Sequence, residues 1–177
     1  MKKVIPFALV LLYTLSLSAQ SDSLSYSTPE KLAAKMLEFI SFEKGEVKDW
    51  DEYRNLFLPE ATKLSFRPKA GDPLSKQVRS NNLEEFVRYG SQGYSKNGFE
   101  EYAIGVKVNE FNGIASVFQS FYCKNGDGSY EARGVNSYQM VYLNGRWWIA
   151  NTMFINETVD VKLPDDLLFE EHRSRSK

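Results

Sequence analysis

Of the side chains that most often act as nucleophile, base or metal ligand, this chain of 177 residues has one His and one Cys. The single His, His172, lies in a Glu170-Glu171-His172-Arg173 tail beyond the last predicted strand. A general base must come within hydrogen-bond reach of its substrate inside a pocket, so His172 reads as a tail residue. The single Cys, Cys123, falls at a strand end on the predicted inward side. With no His partner it reads as a small buried hydrophobe and not as a nucleophile. One His and one Cys far apart make no zinc site, and no cofactor is expected. A lone Cys also forbids an intramolecular disulfide, so the core must hold the domain, and 14% aromatic residues make that feasible.

The carboxylates Asp49, Asp51, Glu52, Glu60, Glu84 and Glu85 read as helix caps or solvated faces. Asp51 with Tyr53 is the pair to inspect, because a carboxylate in an apolar cavity has a raised pKa and serves as a base. No catalytic residue is assigned. The polar set Gln119, Asn136, Tyr138 and Asn151, with Trp147 near a turn, falls on an otherwise apolar sheet face. Neutral amides and a phenol in that setting orient a small ligand, or they satisfy one another where the sheet bends. Trp147 lines the mouth of such a pocket or packs on a helix. These five are the candidate ligand-binding residues.

Three helices and a sheet must position them. The first helix starts with Thr28 as cap and Pro29 and Glu30 in its first turn; Leu32, Met36, Phe39 and Ile40 share its apolar face. A second, short helix has Asp49 as cap and ends before Pro59. Residues 62–66 form a short strand and 67–81, with Pro68, Gly71 and Pro73, a loop. The third helix starts at Asn82, with Glu85 completing a capping box. From 102 onward the apolar period changes from helical to alternating. Asn112-Gly113 and Asn144-Gly145 are type I′ hairpin turns.

Two-residue turns set register. Across the first, Val108 faces Val117, Val106 faces Gln119 and Ile104 faces Phe121. Across the second, Met140 faces Ile149, Tyr138 faces Asn151 and Asn136 faces Met153. If Cys123 faces Tyr130, Val117 lies beside Asn136. The opposite face carries Lys107, Ser116, Arg133, Gln139 and Thr152, and an apolar row of Phe118, Val135 and Phe154, which suits a homodimer contact. The predicted inner face has no Asp or Glu in its central rows.

Lys2 and Lys3, an apolar run from Val4 to Leu17, and Ser18-Ala19-Gln20 form a secretory signal peptide cut after Ala19, too short for a comfortable membrane span. The product is periplasmic or extracellular, with no membrane contact. Its net charge near −3 gives no footprint for nucleic acid. The organisation is a signal peptide at 1–19, a flexible lead-in at 20–27, one domain at 28–163, and a tail at 164–177 that docks through Leu167, Leu168 and Phe169 and is disordered from 170.

Three helices, a bent antiparallel sheet, the Leu56-Phe57-Leu58-Pro59-Glu60-Ala61 segment and the closing Gly145-Arg146-Trp147-Trp148-Ile149-Ala150-Asn151 strand together resemble the nuclear transport factor 2-like superfamily, which includes SnoaL-like proteins. The resemblance covers residues 28–157. It implies a cone-shaped α+β fold, with helices in the concavity of a curved sheet, a cavity between them, and dimers through the sheet. Enzymes of the superfamily generally need an Asp or His in the cone; other members only bind. The expectation is therefore an exported, non-catalytic domain holding a small apolar molecule. The alternatives are an isomerase, dehydratase or cyclase using a helix carboxylate, and a protein-interaction module acting through the outer sheet face.

Overall fold

The computed structural model describes residues 26–69 and 72–173. The expected signal peptide and most of the expected lead-in lie outside the described residues, as do 174–177. Tyr26, expected in the flexible lead-in, is buried: its carbonyl accepts from Trp147 N–H at 3.0 Å, and its ring lies 3.6 Å from the Arg146 guanidinium.

The caps fall where the side chains demand them. α1 (Pro29–Ile40) starts with Lys31 N–H donating to Thr28 Oγ1 at 3.3 Å. α2 (Trp50–Arg54) starts with Asp51 N–H donating to Asp49. α3 (Leu83–Asn97) carries the full capping box: Glu85 N–H donates to Asn82 Oδ1 at 2.8 Å and Asn82 N–H to Glu85 Oε2 at 3.3 Å. The strands are β1 (Phe57–Lys69), β2 (Asp72–Asn82), β3 (Phe99–Phe111), β4 (Ile114–Asn125), β5 (Glu131–Leu143) and β6 (Arg146–Asn156). They form one curved six-stranded sheet in the order β2-β1-β6-β5-β4-β3, antiparallel except for the β1–β6 pair.

The expected loop at 67–81 is corrected: β1 runs on to Lys69 and β2 occupies Asp72–Asn82. Pro68 sits at a register shift and Pro73 in an edge strand, two places where a sheet tolerates proline. Both Asn-Gly turns are type I′, with φ of 47° and 84° at Asn112 and Gly113 and of 54° and 85° at Asn144 and Gly145. The core joins helix residues (Leu32, Met36, Tyr53) to strand residues (Val117, Tyr138, Met140, Ile149). After β6, two 3-10 turns at Asp165–Leu167 and Glu170–His172 place Leu168 in a buried position, and Phe169 N–H donates to the Ile104 carbonyl. Arg173 Nε donates to the carbonyls of Asp165, at 3.1 Å, and Leu168, at 3.2 Å. A Cβ on Gly105 would sit 1.9 Å from the Leu167 carbonyl oxygen, so glycine is what lets this segment lie on β3.

Candidate functional site

Two β-bulges decide which side chains face inward. In the β3–β4 hairpin, Val108 faces Val117 and Val106 faces Gln119, as expected. The register then shifts between Ala103 and Gly105, and Ala103, not Ile104, faces Phe121. Ile104 is the extra residue, so every side chain before it changes face. Glu101 therefore lies opposite Cys123 and points inward. The β5–β6 hairpin repeats this. Met140 faces Ile149, but beyond the shift Tyr138 faces Thr152 and Asn136 faces Phe154, with Ala150 as the extra residue. Asn151 thereby moves to the outer face opposite Gln139, where its amide donates to Thr62. Thr152 and Phe154, expected outside, come inside. Between β4 and β5, Cys123 pairs with Ala132 instead of Tyr130, which sets Gln119 beside Asn136 and Val117 beside Tyr138.

A cavity of about 900 Å³ lies between α1, α3 and the sheet. Met36 and Ile40 of α1, Phe86 and Tyr94 of α3, and Phe121 and Phe154 of the sheet give it apolar walls. Three polar groups converge on it. Asn136 donates from Nδ2 to Glu101 Oε1 at 2.9 Å. Burial of the Glu101 carboxylate pushes its pKa up to about 7, against the opposing pull of the Asn136 hydrogen bond and the Lys63 charge. Lys63 of β1 is only 9% exposed. Its ammonium lies 4.2 Å from the centre of the Phe86 ring and makes no hydrogen bond or ion pair with any described residue. Burial pulls its pKa down to about 8, with Glu101 pulling the other way. The site thus holds an acid and a base that both change protonation near neutrality, which is what acid–base chemistry requires.

Of the five candidate residues, Asn136 alone lines the cavity. Gln119 and Tyr138 satisfy each other, the Tyr138 hydroxyl donating to Gln119 Oε1 at 3.0 Å in the core. Trp147 is buried and packs edge-on against Tyr142. Asn151 is on the far face. No helix carboxylate lines the cavity among the described residues. Asp51 is exposed and paired with Arg54 at 2.8 Å, while Tyr53 is wholly buried with its hydroxyl unpartnered among the described residues. Glu157, at the end of the inner face, reaches the cavity rim, where it accepts from Leu163 N–H at 2.8 Å. Cys123 is buried and its thiol pushed up to about 12 by burial, a poor nucleophile.

Glu101 and Lys63 are the residues that sequence reasoning missed. The signal for Glu101 was present: Ala103-Ile104-Gly105-Val106 interrupts strict alternation with a glycine in mid-strand, which marks a bulge. Lys63 lies in the short predicted strand at 62–66, to which no inner face was assigned, and no local signal marks it as a cavity residue.

No family model and no curated protein matches the sequence. Solved structures do. A provisionally named scytalone dehydratase from Novosphingobium aromaticivorans superposes with a TM-score of 0.54 at 10% identity, over 92% of this chain and 99% of that one. A protein of unknown function from Mycobacterium tuberculosis gives 0.55 at 10% identity, over 98% and 87%. A nuclear transport factor 2-like superfamily protein from Salmonella enterica gives 0.51 at 9% identity, over 78% and 92%. A helix-bearing curved sheet around an apolar cavity, matched at this level of structural likeness, defines the class: the chain has the nuclear transport factor 2-like fold.

Proposed function

We propose that this chain is an exported domain that binds a small, largely apolar molecule in the cavity and orients it through Glu101, Asn136 and Lys63. The observation that carries the reading is a buried lysine without a hydrogen-bonding partner among the described residues, set with a Glu–Asn pair in an aromatic-walled space of about 900 Å³. A ligand oxygen placed there supplies what the lysine lacks. Native mass spectrometry of the chain beginning at Gln20, purified from its own host, tests it. A discrete added mass that is lost in Asn136→Leu supports the reading, and a chain that stays bare in host extract argues against it.

A second reading, an isomerase or dehydratase type of enzyme, is favoured by Glu101. The carboxylate comes from a strand and not from a helix, and a carboxyl titrating near 7 is suited to proton transfer. Dimerisation belongs to the same proposal, through the outer face, where Phe118 is 39% exposed and pairs with Ser137; the expected row is broken, because Val135 pairs with Ser120 and Phe154 turns inward. Sedimentation of Phe118→Asp at micromolar concentration, compared with the parent chain, decides that point.

A further inference from the structure

We propose that Lys63 captures a carbonyl compound covalently, so that the occupant of the cavity is an aldehyde or ketone on an apolar body, held as an iminium. This rests on the cavity being a small-molecule site. Four features carry it. The amine is buried in the cavity wall, where burial favours its neutral, nucleophilic form. No hydrogen bond or ion pair to a described residue restrains its lone pair. Glu101 and Lys63 line the same cavity. Asn136 holds the Glu101 carboxyl in place.

The chemistry closes on these groups. The Lys63 amine adds to the carbonyl carbon, forming the C–N bond while the C=O π pair moves to oxygen. One proton passes from nitrogen to that oxygen and gives a carbinolamine. The Glu101 carboxylic acid then protonates the hydroxyl, which leaves as water while the nitrogen lone pair forms C=N. A neutral amine, a carboxylic acid and a carbonyl thus become an iminium, a carboxylate and water. The product is a buried cation beside a buried anion, in place of two groups that each resist ionisation. The other titratable groups on the wall are Arg79 of β2, Tyr89 and Tyr94 of α3, Cys123 of β4, Tyr130, and Glu157 after β6.

The test treats the purified chain with 2-naphthaldehyde and cyanoborohydride at pH 7 and maps the reduced adducts by peptide mass spectrometry. Binding of 2-methylnaphthalene, which has no carbonyl, is measured in parallel by fluorescence. A lysine with a pKa near 8 has roughly three-hundredfold more free amine at pH 7 than one at 10.5. The expected result is an adduct on Lys63 at least tenfold faster than on any other lysine, slowed in Glu101→Gln and absent from the Lys63→Arg map. Adducts spread evenly over other lysines, while methylnaphthalene still binds, overturn the iminium and leave the cavity reading standing. Failure of both overturns both. The wild-type map alone decides the matter if either variant does not fold.

Discussion

Glu101→Gln should make the protein more stable at pH 7.5 and leave it nearly unchanged at pH 4.5. The carboxyl has an ordinary pKa of 4.5 and is pushed up to about 7 in the folded protein, chiefly by burial. Between those values the native state holds a proton that the unfolded chain releases, so stability falls as pH rises through the window. At about 1.4 kcal/mol per pH unit, the full interval corresponds to an upper limit of about 3 kcal/mol. Gln resembles the protonated acid in shape and still offers an oxygen to Asn136 Nδ2, so it removes the penalty and keeps the contact. Urea unfolding followed by tryptophan fluorescence at pH 4.5, 6 and 7.5 reads the effect. With a urea slope of about 1–3 kcal/mol per molar, the variant's midpoint should rise relative to wild type by about 1–3 M across the range. A difference between the two proteins that stays constant from pH 4.5 to 7.5 would refute a desolvated carboxylate at this position.

Lys63→Met should stabilise below pH 8, because the folded state resists the buried cation; the advantage fades between about 8 and 10.5 as wild-type Lys63 becomes neutral, and thermal unfolding across that range checks it. Asn136→Leu removes a hydrogen bond that holds the Glu101 pKa down, so NMR titration of that carboxyl should move upward, with a stability loss of about 1 kcal/mol; an unmoved titration would show that Asn136 does not tune it. Gly134→Ala places a Cβ 2.4 Å from the Ile155 carbonyl oxygen and 2.6 Å from Phe121 Cζ, so Tm should fall by roughly 5–10 °C; a fall under about 2 °C would mean that the sheet yields there.

The local signals in the chain were reliable where one short-range interaction dominates. Thr28, Asp49 and the Asn82–Glu85 box cap the three helices, and both Asn-Gly turns set the first pairs of their hairpins. β2 was not legible because an edge strand that follows Pro68 and contains Pro73 lacks the alternation of a half-buried one. The parallel β1–β6 pairing joins segments far apart in the chain, and no local pattern announces it.

The candidate site was lost for a single geometric reason applied twice. Alternation propagates a face assignment outward from a turn, and one extra residue inverts everything past it. Without the bulge at Ile104, the inward set would be Tyr102 and Glu100. With it, Glu100 goes outside to pair with Lys124 at 2.9 Å, Tyr102 lies against Tyr122 with ring centres 5.4 Å apart, and Glu101 turns in to meet Asn136. The bulge at Ala150 exchanges Asn151 for Thr152 and Phe154 in the same way. The residues between turn and bulge keep their expected faces and pack in the core. The β3–β6 residues that line the cavity lie beyond the bulges, where Tyr138 still belongs to the core. Bulges re-aim side chains beside functional sites elsewhere in β-structure. Here the β3 bulge selects which of two adjacent glutamates is desolvated, and so sets the acid–base character of the cavity.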